Sequence, residues 1–171
     1  MEIQENIINK VANSGLITLN LEDFSHKGER VVYDIVDNLF HGLILREKDF
    51  RAFIKEHDWA RYQDKNVAIT CSADAIVPTW AYMLLANKLK PYANEVVFGG
   101  LDTLEAVLFT KSLAKIDLAS YANERVVVKG CGDVDVPVSA YVEVTNLLTP
   151  VVKSIMYGEP CSTVPVYKRK D

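Results

Sequence analysis

The segment NVAITCSADAIVPTW, residues 66–80, decides the fold. Its first six residues, NVAITC (66–71), form a continuous apolar run rather than an alternating one. Such a run marks a strand covered on both faces. The polar-flanked stretch SADAIV (72–77) reads as a loop, and Pro78 then opens a helix. Proline is tolerated there because the first helical N–H has no intrahelical acceptor. The apolar pattern predicts a helix to about Lys90, where Pro91 forbids continuation.

The same grammar continues outward. EVVFGG (95–100) is the next strand, and residues 102–116 place Leu104, Val107, Leu108, Leu113 and Ile116 in a helical pattern. RVVVKGC (125–131) is a further buried strand, Pro137 opens a helix that Pro150 closes, and SIMYG (154–158) ends the series. Strand–helix–strand succession requires crossovers, so the expectation is an α/β fold, a mainly parallel sheet over residues 66–158 with helices on both faces.

Two parts of this core resemble each other at an offset of 59 residues. Val77, Pro78, Ala81, Tyr82, Asn87, Leu89, Pro91 and Gly99 meet Val136, Pro137, Ala140, Tyr141, Asn146, Leu148, Pro150 and Gly158. Proline–helix–proline units converge on prolines and leucines, but the Ala-Tyr and Asn matches are harder to obtain that way. The expectation is a duplicated βαβ unit, an internal repeat rather than a solenoid array.

Upstream, Ile3, Ile7, Ile8 and Val11 predict an amphipathic helix over 2–13, stopped at Ser14-Gly15. LITLNLEDF (16–24) alternates as a half-buried strand does, and RVVYDIVDNLF (30–40) is expected to pair with it as a β-hairpin. LIL (43–45) is short and extended, and residues 47–59 form a helix carrying Phe50, Phe53 and Ile54. The length of 171 residues suits one domain, with residues 1–65 as an outer layer, 66–158 as core and 159–171 as a C-terminal loop and tail.

Composition excludes several classes. Apolar residues are 49% and charged ones 25%, with a formal net charge of −4. That balance offers no basic field for a nucleic-acid backbone, and the basic residues Lys168, Arg169 and Lys170 read as a solvated tail. The acidic start MEIQENIINKVANSG lacks the apolar core of a signal peptide, and no apolar run is long enough to span a membrane. With three cysteines and no export signal, a cytoplasmic protein with reduced thiols is expected. Size and apolar content together suggest a homodimer.

Candidate chemistry gathers at the thiols. Ligands of open parallel sheets bind outside the carboxyl ends of the strands. Cys71 and Cys131 follow two predicted strands, and Cys161 in GEPCSTVP (158–165) can return to the same edge. Three thiolates suit zinc or an iron–sulfur cluster, so Cys71, Cys131 and Cys161 are candidate metal ligands. Asp74, Asp102 and Asp133 follow the strand ends and are candidate ligand-binding residues, with Trp80 as a pocket wall. The competing reading is an apolar pocket or docking surface at which the cysteines merely pack, since free cysteine is among the most buried residue types.

No motif fixes a reaction. FGGLD lacks a GxGxxG phosphate signature, no GxSxG elbow accompanies Ser72 or Ser162, and His26, His41 and His57 have no paired spacing. The strings LITLNLEDF, TCSADAIVPTWAYMLLA and KSIMYGEPCSTVPVYKRK resemble a bacterial family, domain-of-unknown-function family 2480, over nearly the whole chain. The resemblance implies an association with iron–sulfur assembly genes and hence with iron–sulfur assembly proteins as partners. It brings no catalytic residue.

Overall fold

The structure, a computed structural model, describes residues 15–159 and 161–170. The helix expected over 2–13 lies outside the described residues. The strands are β1 (Leu16–Asn20), β2 (Arg30–Asp34), β3 (Asn66–Thr70), β4 (Glu95–Phe98), β5 (Arg125–Lys129), β6 (Ser154–Glu159) and β7 (Ser162–Lys168). The helices are α1 (Glu47–Glu56), α2 (Thr79–Leu89), α3 (Leu101–Leu113) and α4 (Val138–Leu148). The chain divides into two compact units, His26–Leu108 and a discontinuous one made of residues up to Ser25 and from Phe109 on. We call these the inner and the outer unit.

The inner unit holds the sheet β2-β3-β4, parallel throughout. β3 is covered on both faces, as its unbroken apolar run requires. Val67 and Ile69 pack in one cluster with Phe50 and Ile54 of α1 and Ala81, Leu85 and Leu89 of α2. Ala68, which points the other way, packs with Leu104 and Leu108 of α3. Each fully buried large side chain of this kind contributes roughly 1.5–3 kcal/mol of transfer free energy. A bidentate pair joins β2 to α3: Arg30 Nε lies 2.5 Å and Nη2 3.1 Å from the Glu105 carboxylate.

The outer unit holds the sheet β1-β5-β6-β7, in which β1, β5 and β6 are parallel and β7 is antiparallel to β6. Leu19, Val126, Val128 and Ile155 from the sheet bury against Ala140, Val144 and Leu148 of α4. The helix α4 starts after Pro137, whose carbonyl accepts from Ala140 N–H at 2.9 Å, just as Pro78 starts α2 with the Ala81 N–H at 2.9 Å.

The α/β class and the mainly parallel pairing are as the sequence predicts. Three expectations are corrected. β1 and β2 do not form a hairpin: β1 pairs with β5 and β2 with β3, each in parallel. Their ends are cut short by 3₁₀ turns, in which the side chains of Asn20 and Asp34 accept from the N–H of Glu22 and Val36. That capping turns the chain away from the path a hairpin would need. Residues 66–158 do not build one sheet either, because β3-β4 and β5-β6 each take a first strand from the N-terminal region. Finally, most of the expected C-terminal loop and tail is the strand β7. Its β-branched Thr163, Val164 and Val166 suit a strand, and Pro165 is tolerated because β7 is an edge.

Several pairs of positions 59 residues apart adopt similar local geometry. Asp58 and Asp117 each cap a 3₁₀ turn, through the N–H of Ala60 and Ala119. Asp64 and Asn123 both have positive φ, 60° and 62°. Their N–H groups donate to the carbonyls of Tyr92 and Val151 at 2.9 and 2.8 Å. Gly99 and Gly158, each closing a βαβ segment, have φ of 136° and 117°, which favours glycine at both.

Candidate functional site

In the outer unit, the carboxyl ends of β5 and β6 lie side by side, since Val128 pairs with Tyr157. The chain leaves β5 through Gly130, Cys131 and Gly132 and returns in α4. The N–H of Gly132 donates to the Glu22 carboxylate, which reaches across from the turn after β1. This anchors the loop and leaves the Cys131 thiol exposed. Its Sγ lies 2.9 Å from the Tyr157 hydroxyl and 3.9 Å from the Tyr141 hydroxyl. The two tyrosine rings meet edge to face, 5.9 Å apart at 72°.

This thiol–phenol cluster is the polar end of a cavity of about 470 Å³. The walls are Val128, Val138, Ile155, Met156 and Val166, with Thr145 beside Tyr141. Among the described residues, no charged one lines it. The Thr145 hydroxyl already donates to the Tyr141 carbonyl at 2.7 Å, so the free polar capacity is the two phenols and the thiol. Burial first, then the hydrogen bond and charge of Cys131, push the Tyr141 phenol up to about 12. The hydrogen bond with Cys131 is the leading cause that raises Tyr157 too. At neutral pH both are protonated donors, not bases. With no imidazole among the lining residues, the cluster is not a thiol–histidine nucleophile.

The inner unit holds a comparable set of contacts with one hydroxyl fewer. Cys71 follows β3, and Tyr82 meets Phe98 edge to face, 5.0 Å apart at 71°. Burial and then the Cys71 thiol, in part through a hydrogen bond, raise the Tyr82 phenol. The N–H of Ser72 donates to the Asp34 carboxylate at 3.1 Å, as Gly132 does to Glu22. Slight burial works to raise the Asp34 carboxyl, but the bonds from Ser72 and Val36 prevail and lower it. Where Cys131 meets Tyr157, Cys71 has only a phenyl ring in that place, and its thiol donates to the Ala73 carbonyl at 3.4 Å.

The sequence-predicted residues are therefore divided. Cys131 and Cys161 lie at the same end of the outer unit's sheet, Cys161 exposed in the turn between β6 and β7. Cys71, Asp74, Asp102 and Trp80 belong to the inner unit. Among the described residues, no three His, Cys, Asp or Glu side chains are grouped to hold a metal ion. The zinc or iron–sulfur centre expected of Cys71, Cys131 and Cys161 thus finds no support among the described residues. Asp133 lines a shallower cavity with Cys131 and Tyr141, whereas Asp74 and Asp102 are exposed. Trp80 packs against the core, 6.1 Å from Phe50, with the Arg51 guanidinium 5.3 Å over its ring. The residues the sequence reading missed are Glu22, Tyr157 and Met156. Tyr141 was visible only as a repeat match to Tyr82.

Parallel strands whose carboxyl ends carry a thiol and a phenol, with a second phenol on the facing helix and an apolar-walled cavity beside them, define an α/β protein with a small-molecule-sized pocket. The chain belongs to the family of proteins of unknown function DUF2480, matched over residues 5–169. Neither a curated protein nor a solved structure matches it. Among the described residues, no helix is long and apolar enough to cross a membrane.

Proposed function

We propose that the chain binds a small, uncharged, largely apolar molecule in the cavity at the carboxyl ends of β5 and β6. The observation that carries this is the lining: five apolar side chains with the Tyr141 and Tyr157 hydroxyls and the Cys131 thiol, and no charged residue among the described residues that line it. Burying an ion in such a site would be costly without a partner charge. A ligand bearing one hydrogen-bond acceptor, such as a carbonyl, fits the Tyr141 and Tyr157 hydroxyls. The two units are read as copies of one βαβ-based ancestor, of which the outer retains both phenols. The metal-centred alternative and iron–sulfur assembly partners have no second observation in their support. A cytoplasmic homodimer is consistent with this reading but does not carry it.

The test uses 6-propionyl-2-(dimethylamino)naphthalene, a neutral aryl ketone whose emission reports polarity. Saturable, blue-shifted emission is expected with the full chain. Val138 lines the cavity yet is 77% exposed, so Val138→Glu leaves the core intact. At this rim position the carboxylate stays solvated, but it removes apolar contact with the probe and should weaken binding by about threefold. Absence of saturation, or equal binding by Val138→Glu, overturns the proposal.

A further inference from the structure

We propose that Cys131 captures α,β-unsaturated carbonyl compounds within this cavity as thioethers. This rests on the pocket reading above and adds a bond to it. Three features meet at one place. The thiol is exposed at the mouth of an apolar cavity. One phenol stands 2.9 Å from the sulfur and a second 3.9 Å from it. Neither phenol ionises near neutral pH, so both remain donors toward an oxygen that gains negative charge.

Addition of a thiol to an enone needs this set. The Cys131 thiol releases its proton to solvent, and its sulfur forms a C–S bond at the β-carbon. The alkene π pair moves toward the carbonyl, giving an enolate whose oxygen accepts from the tyrosine hydroxyls. Solvent then returns a proton to the α-carbon. The net change is S–H added across C=C, with nothing oxidised or reduced. Donors placed where the oxyanion develops favour the transition state more than the ground state. The apolar walls select the electrophile's body.

The inner unit supplies an internal comparison. At Cys71 the position of Tyr157 is held by Phe98, and the thiol is turned to the Ala73 carbonyl. Cys161, exposed in its turn, supplies a second.

The experiment treats the full chain separately with 2-cyclohexen-1-one and with iodoacetamide, and follows each cysteine by peptide mass spectrometry. Iodoacetamide reacts by displacement and builds no enolate. The ratio of the two rates at one cysteine therefore cancels exposure and thiolate fraction. The ratio at Cys131 should exceed that at Cys161 and Cys71 by about tenfold. Tyr157→Phe and Tyr141→Phe should each lower it toward the Cys161 value while changing the iodoacetamide rate less. Tyr157→Phe is expected to fold, since phenylalanine occupies the matched place in the inner unit. Equal ratios at Cys131 and Cys161 overturn the proposal without any variant. So does an unchanged ratio in both tyrosine variants. If the naphthyl ketone still binds saturably, only the covalent step falls; if it does not, the pocket reading falls as well.

Discussion

The hydroxyl of Tyr157 sits 2.9 Å from the sulfur of Cys131, and Tyr141 closes the group from the facing helix. Burial and the thiol together push Tyr141 up to about 12. Its folded pKa is thus above that of the unfolded chain. The associated stability is fully present below about pH 10 and is lost as pH rises from there through about 12. Cys131→Ala should lower the Tyr141 midpoint without restoring it to the ordinary phenol value, because burial is the larger cause. An ultraviolet phenolate titration of the two proteins checks this, with Tyr141→Phe to assign the transition. An unmoved midpoint would show that the thiol does not act on Tyr141.

His57 stands in an aromatic group of the inner unit, its ring 4.7 Å from Trp59 and 4.8 Å from Phe53. Burial first, then the Arg61 cation, hold its imidazole below the usual value, against the opposing pull of Asp58. A depressed folded pKa means the unfolded chain binds the proton more tightly. Stability from this residue is therefore present above about pH 6.5 and declines as pH falls below it. The His57 ring signals should titrate with a midpoint below that of a free histidine. His57→Phe should reduce the fall in urea midpoint between pH 7.5 and 5.5. An elevated NMR midpoint would contradict the stated environment.

Arg30 and Glu105 form a two-pronged pair whose side chains are 23% and 27% exposed. Arg30 Nη1 also donates to the His26 carbonyl at 2.6 Å and to that of Gly28. A lysine cannot supply this planar fork. Arg30→Lys should cost about 1–3 kcal/mol, partly screened because both groups touch solvent. Urea denaturation measures it. Glu105→Gln should cost less than removal of the arginine, since the two carbonyl contacts survive.

Gly158 lies next to the last residue of β6 with φ of 117°, and a Cβ there would meet the Ser162 carbonyl oxygen at 2.6 Å. Backbone, unlike a side chain, cannot swing aside. Gly158→Ala should cost about 1–3 kcal/mol through strain. The loss should appear as faster amide exchange across β7. At Gly99 the obstacles are Thr103 Oγ1 at 2.7 Å, which a rotamer change can move, and Thr103 Cβ at 2.9 Å, which needs a small backbone shift, so Gly99→Ala should be somewhat milder. Equal costs at the two positions would contradict this account.

Much of the fold was legible because burial and proline punctuation are local. Val67, Ala68 and Ile69 announced a strand covered on both sides, and Pro78 and Pro137 placed the helices within a residue. Strand partners were not legible. Nothing local in Leu16–Asn20 says that it pairs with Arg125–Lys129 rather than with the neighbouring Arg30–Asp34. β7 was hidden by the Pro165 within it. For the site, the sequence singled out Cys131 and Asp133 but grouped the thiols by strand ends, which are shared by strands of different sheets. The phenols escaped because a tyrosine one turn into a helix looks like packing until its hydroxyl is seen beside a sulfur.

The discontinuity of the outer unit has a consequence for synthesis on the ribosome. The inner unit is one unbroken stretch, complete once Leu108 has emerged. β1 is made before any of it, yet its strand partner is Arg125–Lys129. During translation β1 must therefore wait, unpaired, while more than half of the chain is made and the later unit's sheet begins to form. A ribosome stalled once Leu108 has left the exit tunnel should present a folded inner unit preceded by a strand with no sheet to join.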